Sequence, residues 1–292
     1  MSLLISQLIN GLQSGSIYAL IALGYSMVYG IIMLLNFAHG DIIMVGAYVA
    51  WLAIIHFALS PFVAIALAIL TCTVLGVTIE KVAYAPLRSS PRRSLLITAI
   101  GISFLLENLA QIIFGAGSQR VPKLISGPSL NIANQHISFT AIVTIIVSVI
   151  SMVILTFLVQ NTKMGKAMRA VSEDMGTAQL MGINVNRTVS FTFALGSALA
   201  GIGSILYCCA YPQASPTMGS MLGLKAFVAA VLGGIGSLPG AMLGGFCIGL
   251  AEAIVSAVGL SVWKDGVVFA ILIVVLIFKP TGILGKPVSE KV

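Results

Sequence analysis

Long uncharged runs, most of them apolar, dominate this chain, and short polar segments separate them. The uncharged runs are Met1–Gly40, Ile42–Ile79, Leu124–Thr162, Thr188–Leu224 and Ala226–Ala251. Because a helix needs about 20 apolar residues to cross a bilayer, most of these runs can hold two passes, or one pass and a loop. The pattern therefore predicts an all-α polytopic membrane protein.

The turn residues and charges divide these runs into individual passes. The predicted passes are Leu3–Leu35, Ile42–Phe57, Pro61–Ile79, Leu95–Phe114, Phe139–Val159, Val189–Tyr207 and Gly266–Phe278. Leu224–Val258 is long for one pass and short for two, and the motif GGIGSLPG at Gly233–Gly240 interrupts it. Such a break favours a discontinuous or re-entrant segment near residues 224–240, which lipid tolerates only inside protein or beside water. The total is eight or nine transmembrane helices.

The basic residues predict the orientation of the chain. Eleven of the 15 lysines and arginines fall within Lys81–Arg93, Lys163–Arg187 and Lys279–Lys291. This clustering follows the positive-inside rule, so the net charge of +7 does not indicate a nucleic-acid partner. It places the N-terminus outside and the C-terminus in the cytoplasm. The loop at 80–94 is then cytoplasmic, whereas Gly115–Ile137 and Cys208–Gly223 are outside loops. No polar stretch is long enough for a separate soluble domain, which indicates one transmembrane domain over residues 1–292.

The segment Thr162–Arg187 concentrates charge in a chain that has little of it elsewhere, and we expect it to form a cytoplasmic loop carrying one short helix. Its apolar residues recur every three or four positions, as on one helix face. They are Met164, Ala167, Met168, Val171, Met175, Ala178 and Met181. Gly182 follows and permits the left-handed turn that ends a helix. Methionines suit a surface that repacks against a moving partner; the alternative is a helix that lies on the lipid.

The sequence contains no motif of an enzyme site or of a nucleotide-binding loop, so we predict no catalytic residues, no cofactor and no metal. The four cysteines lack metal-ligand spacing. Energy for transport must therefore come from an ion gradient or from another protein. An ion-coupled mechanism would depend on Asp41, Glu107, Glu252, His39 and His56. A purely structural role for these groups is the alternative.

Five blocks of the sequence resemble a known family. AVSEDMGTAQLMGI at Ala170–Ile183 resembles the ATPase-docking loop of ABC importer permeases. Four further blocks resemble the permease subunit of branched-chain amino acid ABC importers, of the LivH type. These are GSIYALIALGYSMVYGIIMLLNFAHGD (15–41), IEKVAYAPLRSSPRR (79–93), KAFVAAVLGGIGSLPGAMLGG (225–245) and PTGILG (280–285). Urea and short-amide permeases share some of them, so this substrate class is one rival, and an ion-coupled secondary transporter is another.

The resemblance implies an inner-membrane complex in bacteria. Its other members would be a second homologous permease, two ATP-binding subunits and an extracytoplasmic substrate-binding protein. The family's docking helix maps onto Ala170, Glu173, Asp174, Ala178, Gly182 and Ile183. The acidic pair would meet basic residues of the ATPase; plain solvation of a helix face is the alternative.

The predicted breaks also suggest a translocation path, because backbone groups freed at half-helix ends can bind a zwitterion. The candidate residues are Asn36, His39, Asp41, Glu107, Gly233, Gly234, Gly236 and Glu252. Close helix packing is the alternative explanation for the glycines.

Overall fold

The computed structural model describes residues 2–33, 36–88, 90–125, 127–132 and 135–285. Most of them are helical. The helices are α1 (Ser2–Ile32), α2 (His39–Ile55), α3 (Pro61–Ile79), α4 (Arg92–Phe114), α5 (Phe139–Asn161), α6 (Lys163–Glu173), α7 (Met175–Leu180), α8 (Val185–Ala210), α9 (Met218–Gly233), α10 (Leu238–Ala257) and α11 (Lys264–Phe278). Short strands are β1 (Gln119–Arg120), β2 (Leu130–Ile132), β3 (Gln135–Ile137) and β4 (Gln213–Ala214). Strand β1 pairs antiparallel with β4, and β2 pairs antiparallel with β3.

Seven helical segments of the described ranges are long and apolar enough to cross a membrane. They are Ser6–Ile32, Pro61–Leu87, Arg93–Phe114, Phe139–Asn161, Val185–Ala210, Leu238–Ala257 and Ser261–Phe278. The apolar helices α2 and α9 are shorter. The prediction of an all-α polytopic membrane protein is confirmed at this level.

Helix α1 is the centre of the bundle, and it packs against α10, α8, α5 and α9. Glycines let α1 and α10 approach at backbone distance. A Cβ added to Gly245 would lie 2.4 Å from the α-carbon of Ala19, and one added to Gly249 would lie 2.3 Å from the carbonyl oxygen of Gly11. Small residues at such crossings are typical of helices that pack within a membrane.

The helices α4, α5 and α11 lie at the rim and expose most of their apolar side chains. Ile112, Phe157 and Phe278 are examples, with exposed fractions of 80%, 62% and 83%. Surfaces of this kind fit contact with lipid tails or with another apolar subunit.

The two ends of the bundle differ. At one end, which we call the docking end, a small cavity brings Gly30 of α1, Met168 of α6 and Gly236 together. The chain after α11 returns to the same end, where Ile283 N–H donates to the Leu232 carbonyl. The opposite end holds the β1–β4 pair and the contact between Ser14 and Tyr211, whose hydroxyl oxygens are 3.0 Å apart.

Three predicted boundaries were wrong. The loop at 80–94 was placed too early, because α3 continues through a π-helical turn (Glu80–Tyr84) and a 3₁₀ turn (Ala85–Leu87). The loop Cys208–Gly223 is shorter: α8 runs to Ala210 and α9 begins at Met218. Segment 162–187 holds two helices, α6 and α7, rather than one.

A physical reason accounts for the error at α9. Its first turns carry Gly219 and Gly223, which suggest a loop in the sequence. In the fold these glycines are buried, and their backbone touches that of Gly40 in α2. Segment 224–240 therefore holds the last ten residues of α9, a turn and the start of α10. Helix α10 has Ser237 as its N-cap and a proline in its first turn.

Candidate functional site

The N-terminal turns of α2 and α9 meet inside the bundle. A Cβ added to Gly40 would lie 2.2 Å from the carbonyl oxygen of Gly219, and one added to Gly219 would lie 2.6 Å from the carbonyl oxygen of Gly40. Helix α2 does not begin level with the end of α1. The first residue of α2 is His39, and its ring lies against Gly24 of α1: a Cβ added to Gly24 would be 2.6 Å from His39 Nε2. Gly24 is eight residues before Ile32, the last residue of α1. The side chain of the first residue of α2 therefore lies against the middle turns of α1 and not against its last turn.

Two carboxylates accompany these helix starts, and both are held by serines. Ser103 donates to Asp41 at 2.5 Å, and Ser220 donates to Glu107 at 2.5 Å. Ser103 and Glu107 are one turn apart on α4, so a single face of α4 contacts the first turn of both α2 and α9. A carboxylate near a helix N-terminus is favoured by the helix dipole. Asp41 is fully buried, and its Oδ1 has no hydrogen-bond partner among the described residues.

Aromatic rings surround the same junction. Tyr25 and His39 are in edge contact, with ring centroids 4.8 Å apart, and Phe227 of α9 lies 6.5 Å from Tyr25. The Tyr84 hydroxyl donates to Asn36 Oδ1 at 2.8 Å and fixes the chain just before α2. The structure therefore brings four predicted path residues, Asn36, His39, Asp41 and Glu107, to one junction, which we call the α2–α9 junction.

The remaining predicted path residues lie elsewhere. Gly233, Gly234 and Gly236 belong to the turn between α9 and α10 at the docking end. A Cβ added to Gly234 would lie 2.3 Å from the backbone nitrogen of Gly285, and Leu284 N–H donates to the Gly233 carbonyl at 2.9 Å. Gly234 and Gly236 have φ of +103° and +89°, which favour glycine. Gly233 and Gly234 thus let the chain after α11 pack closely against this turn.

Glu252 belongs to a largely buried ionic cluster that is centred on Lys225. Lys225 Nζ lies 2.7 Å from Glu252 and 2.6 Å from Asp265, and the Tyr18 hydroxyl donates to Glu252 at 2.9 Å. The ammonium of Lys225 is also 5.7 Å from the centroid of the Tyr18 ring. This cluster joins α1, α9, α10 and α11. Burial of such charges is tolerated because each has a close partner of opposite sign.

A second ionic group positions the docking end. Glu80 is fully buried, accepts a hydrogen bond from Ser190 at 2.6 Å and pairs with Arg88. Arg88 also donates to Asn186, which ties the end of α3 to the start of α8. This pair could not be predicted from the sequence, because Glu80 and Arg88 lie in a segment whose basic residues and prolines are typical of a loop.

In the predicted docking segment, Asp174 lies between the helices α6 and α7. The backbone of this residue is extended, and its Oδ1 accepts a hydrogen bond from the Thr177 N–H at 2.6 Å, so that Asp174 caps α7 and separates it from α6. Gly182 has φ of +82° and follows α7, in agreement with its predicted role as a helix terminator.

The apolar stripe of this segment faces inward. Met168, Val171 and Ala178 are buried, and α6 packs on α5, α1 and α8. Met181, the last residue of the stripe, is an exception: it is 79% exposed, and its neighbour Leu180 is 89% exposed. Beside them a groove of about 620 Å³ runs between α7, the start of α8 and Arg88, and Gly182 and Ile183 are in its wall.

Comparison with known proteins identifies the family. Residues 7–276 match the family described as branched-chain amino acid transport system / permease component. The chain belongs to this family. The permease protein BraD of the high-affinity branched-chain amino acid transport system of Pseudomonas aeruginosa is 43% identical, over 99% of this chain and 98% of that protein. The corresponding LivH protein of Escherichia coli is 42% identical, over 99% and 97%. A probable LivH protein of Methanocaldococcus jannaschii is 27% identical, over 92% and 89%.

Sequence reasoning missed several contacts of this permease. Ser103 and Ser220 carry no signal in the sequence, because serines are frequent in membrane helices. Lys225, in contrast, could have been recognised from the sequence. It is the only charged residue between Arg187 and Glu252, and a buried cation requires acidic partners such as Glu252 and Asp265.

Proposed function

We propose that this permease translocates branched-chain amino acids across the bacterial inner membrane as one transmembrane subunit of an ABC importer. The observation that carries the proposal is the similarity to high-affinity branched-chain amino acid permeases over nearly the whole of both chains. The complete complex would contain a second homologous permease, two ATP-binding subunits and an extracytoplasmic substrate-binding protein. The chain would act as one domain over residues 1–292 and hydrolyse no ATP itself.

The arrangement of the two ends supports an orientation with the N-terminus outside and the docking end in the cytoplasm. Arg88, the segment 162–187 and the chain after α11 share the docking end, and they belong to the three basic clusters of the sequence. With seven full spans and the shorter α2 and α9, the proposed topology has nine membrane helices. An odd number agrees with termini on opposite sides.

The exposed surface at the docking end supports force transfer from an ATPase. Leu180 and Met181 project beside the groove at Arg88, and α6 is anchored to α5 by Arg169, which donates to the carbonyls of Val159 and Gln160. A push on α7 would therefore reach α5, α1 and α8 through packed contacts. Ala170, Glu173, Asp174, Ala178, Gly182 and Ile183 remain the proposed docking residues; of these, Ala178 is buried and would support α7 from within the chain.

The α2–α9 junction is the proposed place where the path narrows. Two helix starts, two carboxylates and two serines converge there, and α4 is joined to both helices through the same two serine–carboxylate contacts. Motion of α4 would break those hydrogen bonds and free polar groups for a zwitterion. Half-helix ends that face a path are a recurrent device of transporters.

Reconstitution of the full complex tests the proposal. Proteoliposomes that contain the permeases and ATPases should take up leucine only with ATP and loaded binding protein, and leucine-loaded binding protein should stimulate ATP hydrolysis. Urea in place of leucine should do neither. Uptake by this chain alone, driven by a proton or sodium gradient, would instead support a secondary transporter.

A further inference from the structure

We propose that a small pocket at the end opposite the docking end receives the charged head group of an α-amino acid, with Lys264 facing the carboxylate and Glu252 facing the ammonium. This inference rests on the proposed function, because it assumes that the substrate arrives at that end. It adds a binding site for the head group, whose two charges would distinguish a zwitterion from a neutral amide or urea.

The pocket lies where α1 begins and α10 ends. Its volume is about 90 Å³, and its polar lining includes Asn10, Ser14, Tyr211, Glu252, Ser256 and Lys264. Lys264 and Tyr211 are exposed at the end of the bundle, whereas Glu252 is buried. Two side chains of opposite charge thus line one small space, with the cation toward solvent and the anion toward the protein interior.

Glu252 is held in place before any ligand arrives. Its two oxygens contact Lys225 Nζ at 2.7 Å and the Tyr18 hydroxyl at 2.9 Å. Oε1 is fully buried, so an ammonium in the pocket would contact Oε2, and a carboxylate oxygen can accept a second hydrogen bond beside the one from Tyr18. Such a fixed carboxylate can bind a cation without the cost of ordering its own side chain.

The charges around the pocket also favour this ligand. Lys225 is paired with both Glu252 and Asp265, which leaves the buried cluster with one excess negative charge. Lys264 at the pocket wall carries the balancing positive charge, so the pocket is neutral overall and has one acidic and one basic side, as a zwitterion requires. A neutral solute such as urea can form hydrogen bonds there but has no charge to pair with either side chain.

The size of the pocket determines what it can distinguish. A volume of about 90 Å³ has room for an ammonium, an α-carbon and a carboxylate, but the side chain of leucine would have to point out of it. The pocket would therefore recognise the head group that all α-amino acids share. Selection among side chains must occur elsewhere, in the binding protein or at the α2–α9 junction.

Ligand binding to the purified permease–ATPase complex in nanodiscs, without binding protein, tests this inference. Labelled leucine is compared with leucinamide, which lacks the carboxylate, and 4-methylpentanoate, which lacks the ammonium. The wild-type complex should bind leucine about tenfold or more tightly than 4-methylpentanoate, which loses the contact with the buried Glu252. It should bind leucine about two- to fivefold more tightly than leucinamide, which loses the contact with the exposed Lys264. Lys264→Gln should weaken leucine binding about two- to fivefold and leave leucinamide binding unchanged. Lys264→Arg should restore leucine binding. Lys123→Gln is the control: it removes an exposed lysine outside the pocket and should not change leucine binding.

Three results would overturn the inference: undetectable leucine binding by the wild-type complex at millimolar concentration, unchanged leucine binding in Lys264→Gln, or equal weakening of leucine and leucinamide. Uptake of leucine by the complete wild-type system separates this failure from that of the proposed function. If uptake is normal while Lys264→Gln changes nothing, only the head-group pocket is wrong. If the complete system takes up no leucine, the proposed function itself is wrong.

Discussion

Gly40 and Gly219 touch through their backbones, and this contact joins the first turn of α2 to the first turn of α9. An added Cβ on either residue would lie within 2.6 Å of the carbonyl oxygen of the other. The atoms in contact belong to the backbone on both sides, so a change of side-chain rotamer cannot relieve the contact. It explains how two short helices can start side by side within a bundle of longer ones.

Gly40→Ala should lower both stability and transport. Alanine is a better helix former than glycine, so any loss must come from the collision with Gly219. Forcing a methyl group into such a contact costs about 1–3 kcal/mol. Gly101→Ala in α4 is the matched control, because an added Cβ there meets nothing within 4 Å. Thermal unfolding of the purified complex and leucine uptake measure the difference, and equal behaviour of the two variants would contradict the packing argument.

Ser103→Ala should harm the protein more than Ser220→Ala. Ser103 is the described donor to the buried carboxylate of Asp41, whereas the partner of Ser220, Glu107, is partly exposed and can recruit water. Loss of a hydrogen bond to a buried charged group costs about 1–3 kcal/mol. The unfolding temperature and the uptake rate of the two variants provide the comparison. A larger effect of Ser220→Ala would show that Glu107, and not Asp41, depends on its serine.

Lys225→Met should destabilise the protein strongly, because it leaves Glu252 and Asp265 without their shared cation. Removal of one partner from a buried ionic group typically costs about 3–5 kcal/mol. Asp265→Asn should cost less, since the side chain of Asp265 is 35% exposed. A double variant, Lys225→Met with Glu252→Gln, should recover part of the loss because it removes the uncompensated charge. Thermal unfolding is the measurement, and no recovery in the double variant would argue that Lys225 acts through packing alone.

The sequence predicted most of the spans because long apolar runs form helices in lipid, but the predicted pass Ile42–Phe57 corresponds to the shorter helix α2. The predictions were less accurate where tertiary contacts determine where a helix begins or ends. Gly219 and Gly223 resemble loop residues until the close approach of Gly40 is known, and the helix after Ile79 continues because Glu80 finds Arg88 and Ser190 in space. The grouping of Asn36, His39, Asp41 and Glu107 depends on the return of α2 along α1, which no local pattern encodes.

The two acidic residues of the docking segment should respond differently to substitution. Charge reversal at Glu173 and Asp174 should weaken ATPase copurification, but Asp174 also caps α7. Asp174→Asn removes the charge and retains a good N-cap, whereas Asp174→Ala loses both, at a cost of about 1 kcal/mol for the cap. If charge matters, both variants should lose ATPase; if the cap matters, only Asp174→Ala should. Unchanged copurification of both, and of Glu173→Lys, would remove these residues from docking.

Leu180→Ser should reduce ATPase copurification without unfolding the permease. Leu180 is 89% exposed at the end of α7, beside the groove at Arg88, so its apolar side chain has no role in the core of this chain. Burial of such a side chain in an interface contributes about 1.5–3 kcal/mol, enough to lower the affinity by tenfold or more. Val262→Ser is the matched control, because Val262 is 94% exposed and precedes α11 at the opposite end. Quantitative pull-down of the ATPase, with size-exclusion profiles to confirm folding, makes the comparison. If Val262→Ser reduces ATPase recovery and Leu180→Ser does not, the ATPase binds the opposite end of the bundle and the proposed orientation is reversed.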